Sequence, residues 1–293
     1  MAHLQPLIDT ELWLAHKRRA LTRPVDGADF LMRRAAEDLA DRLGAVERRF
    51  GKAAALFCQT SAATRVLADS GKVADIVRVE TDDAFLAGAA GIVAPAETVP
   101  FEAESLDLVV SLLSLQAMND IPGVLAQIRR ALRPDGLFLG ALAGAGTLAE
   151  LRESLLAAET ELHGGASPRV LPFTDVRDAG ALLQRAGLAL PVADVETVTV
   201  RYDSLFGLAA DLRAMGETSP LFDRSRRPAT RRLFARAAEI YAERFSDPDG
   251  RIRASFSIVW MSGWAPDASQ QKPLKPGSAK VSLKTILENP PGH

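Results

Sequence analysis

The stretch "AALFCQTSAATRVLAD", residues 54–69, carries a short apolar run into a turn and the turn into a helix. Strand, turn and helix in that order open a nucleotide-binding α/β unit, where glycines in the turn let the ligand approach bare backbone. Here the turn reads Phe57-Cys58-Gln59-Thr60-Ser61, without a glycine. Apart from the run at 53–58, apolar runs of strand length occur at 76–80, 106–113 and 137–142. Helical segments separate most of them: residues 60–70 follow the first run, and "GVLAQIRRAL", 123–132, follows the third. Strands alternating with helices imply a parallel sheet covered on both faces. "LDLVVSLLSL", beginning at Leu106, is nearly all apolar, as a central strand buried on both sides must be. In "RPDG", 133–136, the proline stops the preceding helix and Gly136 permits a sharp turn into the fourth run.

Upstream, residues 7–22 and 27–47 have helical spacing. In the second segment Phe30, Leu31, Ala35, Leu39, Leu43 and Val46 recur at three and four and mark one apolar face. Downstream, 147–162 and 175–188 are amphipathic helices, the latter with Asp175 as N-cap. "VETVTVRY" (195–202) and "ASFSIVWMSGW" (254–264) alternate as strands. Two helical stretches, 203–216 and 228–245, lie between them as an insertion suited to a lid or a partner surface. The expected organisation is N-terminal helices over 1–50, an α/β domain over 51–264 with its insertion at 203–245, and an extended or disordered tail over 265–293. Within the tail, 281–287 can dock as a strand or helix turn.

The 293-residue chain is 47% apolar and 25% charged with net charge -2, which points away from a nucleic-acid or membrane-surface partner. The pairs Arg18-Arg19, Arg226-Arg227 and Arg231-Arg232 read as solvated helix faces. A single cysteine, Cys58, excludes an intrachain disulfide and a multi-cysteine zinc site and fits a reducing compartment. No signal peptide or membrane span is legible, so the expectation is a cytoplasmic protein. The histidines, His3, His16, His163 and His293, are not spaced to converge in a two-histidine, one-carboxylate iron site, and no metal site is expected. With no histidine near it in sequence, Cys58 reads as a buried small thiol, not a nucleophile.

A parallel sheet receives ligands at the carboxyl ends of its strands, near the switch in strand order. Glu80 ends the second run, where an acidic residue accepts hydrogen bonds from ribose hydroxyls or, alternatively, caps a solvated strand end. The loop after the third run offers Gln116, Asn119 and Asp120 as polar groups. Asp120 reads as the cap of the helix beginning near Pro122. Gln116 and Asn119 remain as the catalytic candidates.

"VPFEAESLDLVVSLLSLQAMNDIPGVLAQIRRALRPDG" followed by "LFLGALAG" resembles class I S-adenosylmethionine (SAM) methyltransferases. That superfamily has a Rossmann-like, mostly parallel seven-stranded sheet with an antiparallel last strand, a part that "ASFSIVWMSGW" fits. "SPRVLPFTDVRDAGALLQRAGLALPVADVETVTVRY", "DLRAMGE" and "SQQKPLKPGSAKV" further resemble alphaproteobacterial relatives of the methyltransferase-like assembly factor of mitochondrial respiratory complex I, over nearly the whole chain. The resemblance implies a SAM-type fold, peptide-arginine hydroxylation and a complex I subunit as protein partner. It places Cys58, Gln59, Thr60, Ser61, Glu80, Val99 and Ser114 toward an adenosyl ligand. Relatives carry a "LDLGCxTG"-type loop; Cys58 and Thr60 match it. Ala55 stands in place of the acidic residue, Phe57 in place of the first glycine and Ser61 in place of the last. Relatives also often carry an aromatic residue where this chain has Ala117.

A Phe side chain at 57 is expected to project into the ligand space or turn the loop away, and Ala55 cannot offset the ligand's ammonium charge. Two readings follow. In one, the chain is a methyltransferase-fold protein with a degenerate SAM loop that acts on or binds a protein partner. In the other, it is an active SAM-dependent methyltransferase, or a hydroxylase of that fold, modifying a protein side chain. A nicotinamide-linked oxidoreductase is disfavoured by the missing glycine fingerprint and the antiparallel last strand.

Overall fold

Strand β4 (Leu106–Leu112) shows why the sheet forms where it does. Leu106 and Val109 face one apolar cluster, and Leu108, Val110 and Leu112 face another on the opposite side. Neither face meets water, so the strand reads as a continuous apolar run. The same division holds in β1 (Phe50–Leu56): Ala54 and Leu56 enter the first cluster, Ala53 and Ala55 the second. The computed structural model describes residues 6–271.

In chain order the elements are α1 (Thr10–Thr22), α2 (Phe30–Gly44), β1, α3 (Ala62–Asp69), β2 (Val73–Glu80), α4 (Asp83–Leu86), β3 (Ile92–Val93), β4, α5 (Ile121–Ala131), β5 (Leu132–Ala143), α6 (Ala149–His163), α7 (Val176–Arg185), β6 (Ala189–Tyr202), α8 (Leu205–Ala214), α9 (Arg231–Phe245) and β7 (Ile252–Trp264). A single 3₁₀ turn, Leu115–Ala117, follows β4. The strands form one seven-stranded sheet in the order β3-β2-β1-β4-β5-β7-β6, with β7 antiparallel to both neighbours. The order reverses between β1 and β4, which creates a ligand crevice at their carboxyl ends. Helices α2 and α3 cover one face through Ala35, Leu39, Leu43, Ala63 and Leu67. Helices α5 and α7 cover the other through Val124, Leu125, Ile128, Ala179 and Leu183. Helices α6, α8 and α9 build a third apolar cluster against the first half of β7, where it extends past β5 and pairs with β6 alone.

Asp120 accepts from the Gly123 amide and Asp175 from the Arg177 and Asp178 amides, so both act as N-caps. The structure corrects the expected "RPDG" turn: 133–136 lies inside β5, as an irregularity where the register against β4 shifts. Its left-handed residue is Asp135 (φ 61°), not Gly136. Gly136 is required by a close approach instead: a Cβ there would stand 2.9 Å from the Arg133 carbonyl oxygen. The two-residue β3 lies in a stretch with no strand signal in the sequence. The expected docking segment at 281–287 lies outside the described residues.

The N-terminal arm crosses the carboxyl end of the sheet. Ile8 bridges Leu221 in antiparallel fashion, and the Asp9 amide donates to the Pro220 carbonyl at 2.9 Å. Ile8, Trp13, Ala117 and Leu221 share a small buried cluster beneath it.

Candidate functional site

A cavity of about 780 Å³ opens at the carboxyl ends of β1, β4 and β5. Gln59 and Thr60 from the turn after β1, Leu113 and Gln116 after β4, and Ala143 and Thr147 after β5 form its floor. Helix α1, the segment joining it to α2, α6 and α8 form the walls. The volume falls within the range of about 300–1,000 Å³ typical of small-molecule pockets.

The turn after β1 keeps the backbone shape that glycines ordinarily supply, although it has none. Phe57 has φ 54° and Gln59 φ 59°. Left-handed backbone at a residue with a Cβ costs about 1–2 kcal/mol. Phe57 does not project into the cavity. It is 1% exposed and packs in the core cluster that holds Val79, Val99, Leu115 and Met118. The expected obstruction of the ligand space is therefore absent, and the aromatic ring fills the sheet's end from beneath. Gln59 lines the cavity, and its Nε2 is buried with no hydrogen-bond partner among the described residues.

Glu80 is fully buried. Its Oε1 accepts from Arg78 Nε at 2.8 Å and its Oε2 from the Gln59 amide at 3.0 Å. Burial pushes the Glu80 carboxyl up to about 7, with Arg78 and the Gln59 amide pulling the other way. The carboxylate thus braces the turn and does not line the cavity. The solvated strand-end alternative is excluded by this burial.

The remaining candidates separate. Cys58 is buried on the opposite face of the sheet beside Ala55, and burial pushes its thiol up to about 12. Val99 lies in the core, its amide donating to Gln127 Oε1 at 3.0 Å. Ser114 is buried with its Oγ 3.3 Å from Ser111 Oγ. Ser61 is exposed at the start of α3. Asn119 serves the arm: its Oδ1 accepts from the Ile8 amide at 2.8 Å and its Nδ2 donates to the Ile8 carbonyl at 3.2 Å. Gln116 faces the cavity, with Nε2 donating to the Leu113 carbonyl at 2.8 Å. Of the sequence candidates, the fold brings Gln59, Thr60 and Gln116 to the cavity.

Sequence reasoning missed the cationic contribution of the insertion. Arg213 on α8 and Arg227 beyond it are exposed residues of the cavity lining, and neither has a carboxylate partner among the described residues. Arg227 was expected on a solvated helix face; it is exposed but precedes α9 and lines the cavity. The other cations of the lining are neutralised: Lys17 by Glu217, Arg169 by Glu159 at 2.6 Å and Arg224 by Asp9 at 3.1 Å. Among the described residues no group of three or more His, Cys, Asp and Glu side chains is placed to hold a metal ion. No helix among them is long and apolar enough to cross a membrane.

A methyltransferase domain family matches residues 56–140. Over 290 residues the chain is 37% identical to "Arginine-hydroxylase NDUFAF5, mitochondrial" of Mus musculus, covering 96% of this chain and 84% of the mouse protein. Over 186 residues it is 44% identical to the protein of the same name from Dictyostelium discoideum, covering 63% of this chain and 42% of that protein. The zebrafish (Danio rerio) protein of that name is spanned over 60% of its length, at 42% identity over 195 residues, 67% of this chain. Among solved structures, the YcgJ protein of Bacillus subtilis superposes with a TM-score of 0.52 at 16% identity, covering 79% of this chain and 99% of that one. At that identity the likeness establishes the fold alone.

Proposed function

The chain belongs to the family of the mitochondrial arginine-hydroxylase NDUFAF5, and from that membership we propose that it is a methyltransferase-fold protein that acts on or binds a protein partner in the assembly of respiratory complex I, with an adenosyl site that has degenerated. The observation that carries this reading is the state of the turn after β1. Phe57 occupies the first glycine position and is locked in the core. Glu80, the expected ribose acceptor, spends both carboxylate oxygens on Arg78 and the Gln59 amide. Ala55 is buried among α2 and α3 residues and offers no charge to a ligand ammonium. These groups fit SAM poorly: Glu80 is buried away from the cavity and Ala55 carries no charge, although the turn keeps its backbone shape. The N-terminal arm and the insertion, joined at the buried Ile8–Leu221 bridge, are the elements we assign to partner binding.

One observation favours the alternative of an active SAM enzyme: Gln59, Thr60 and Gln116 still line a cavity at the switch point of the sheet. A thermal melt separates the two. Ligand at roughly 100 times its dissociation constant adds about 2.7 kcal/mol, a shift of several degrees for a domain of this size. The degenerate-site reading expects no shift with millimolar SAM or its demethylated product. A clear shift overturns it in favour of the enzyme. The Phe57→Gly, Ser61→Gly double variant assigns the cause: a gain of SAM affinity in that variant makes the loop responsible.

A further inference from the structure

The cavity's walls describe a different ligand. Leu148, Leu151 and Leu155 recur at three and four on α6 and its N-cap, and present one aliphatic stripe to the cavity. Leu205, Ala209 and Leu212 form a second stripe on α8. The residue after that second stripe is Arg213, which with Arg227 is an exposed residue of the lining. Two guanidinium groups there lack a carboxylate partner among the described residues, against one such carboxylate of the lining, Asp26. A mostly apolar cavity with an excess of guanidinium charge among its exposed lining residues suits neither a zwitterionic adenosyl amino acid nor a cationic arginine side chain. Guanidinium pairs with carboxylate or phosphate through two parallel hydrogen bonds, whereas apolar walls reward burial of methylenes at about 0.8 kcal/mol each.

We propose that the cavity binds a single-chain amphiphile, its hydrocarbon tail between α6 and α8 and its anionic head, carboxylate or phosphate, at Arg213 and Arg227. This deepens the degenerate-site reading, on which it rests, by naming the class of molecule that replaces SAM at the same end of the sheet. Gln59 Nε2, buried without a partner among the described residues, offers a donor on the cavity lining for an in-chain oxygen.

The test titrates the full chain with dodecanoate, dodecyl phosphate and dodecanol by calorimetry. The expected result is saturable 1:1 binding of an anionic probe at least about tenfold tighter than dodecanol, the scale of one charge-assisted bond. The phosphate probe binding tighter than the carboxylate assigns a phosphate head, and the reverse a carboxylate head. Arg213→Gln with Arg227→Gln removes the preference for charge and leaves dodecanol binding in place. Ala209→Trp, which fills the cavity from α8, removes binding of all three, with the thermal melt of each variant reporting that it remains folded. No saturable binding, equal affinity for dodecanol, or charge preference surviving the double arginine variant overturns the proposal. The two readings fail separately in a parallel SAM titration. If neither SAM nor an amphiphile binds, the amphiphile site alone is lost; if SAM binds and no amphiphile does, the degenerate-site reading falls with it.

Discussion

Replacing Phe57 by glycine and by alanine should give an inverted order of stability. Both substitutions remove a buried ring, a loss of about 3–5 kcal/mol in a core that cannot fully collapse. The structure supports a value in that range, because Phe57 is 1% exposed and sits among Val79, Val99, Leu115 and Met118. At an ordinary position alanine then exceeds glycine by about 0.5–1 kcal/mol, since glycine loses more backbone entropy on folding. At φ 54° the alanine Cβ carries a left-handed penalty of about 1–2 kcal/mol that glycine does not. The difference leaves Phe57→Gly more stable than Phe57→Ala by about 1 kcal/mol, although both are less stable than the parent. Urea unfolding of the three proteins, followed by circular dichroism at constant pH, measures this as a shift in midpoint at constant slope. Phe57→Ala unfolding at the same or higher urea than Phe57→Gly would falsify the claim that the turn holds its glycine-type shape against the side chain.

Glu80 makes stability pH-dependent in a stated direction. Its folded value of about 7 stands above the ordinary 4.5, so the native state holds more protons between them; stability is full below 4.5 and is lost as pH rises through 7, on the order of 3 kcal/mol across the span. Subtracting the Glu80→Gln profile from the parent's between pH 5 and 8 should isolate that falling slope, because His16, whose burial lowers its value and gives a slope of opposite sign, is common to both; a flat difference refutes the assignment. Asn119→Ala removes two hydrogen bonds to Ile8 and should free the N-terminal arm, with faster amide exchange at Ile8 and Trp13 and a stability loss of about 1–3 kcal/mol. Unchanged exchange at Ile8 shows that the Leu221 pairing holds the arm alone. Cys58, buried and pushed up to about 12, should resist iodoacetamide at pH 8 in the native protein and react only in denaturant; stoichiometric native labelling contradicts its burial.

The parallel sheet was legible because β4 and β1 are covered on both faces, and such strands announce themselves as unbroken apolar runs. β3 was not, since two residues, Ile92 and Val93, carry no periodicity. The fate of Glu80 was written locally and overlooked. In "RVE", Arg78 and Glu80 stand two apart on a strand, which puts both side chains on one face and makes the arginine a ready partner for the acid. The cavity's walls are a different matter. The stripes on α6 and α8 can each be read from spacing, but that they face one another depends on how β6 and β7 return the chain, and no local pattern encodes that.

The backbone adds an independent indication of where function lies. Nine non-glycine residues among those described have left-handed φ, and three of them, Gln59, Leu113 and Leu148, line the one cavity floor and wall, with Phe57 directly beneath. Each costs on the order of 1–3 kcal/mol and persists only where surrounding packing overrides it. Three separate turns, after β1, after β4 and before α6, carry that cost without glycine's relief. At Leu113 and Leu148 the packing of the side chain offsets that cost, but at half-buried Gln59 glycine would relieve it, and a cavity left over from a lost cofactor has no need of that strain. The convergence of the three turns on the same space as the two aliphatic stripes argues that the cavity's shape is itself used, whatever became of the adenosyl site at its edge.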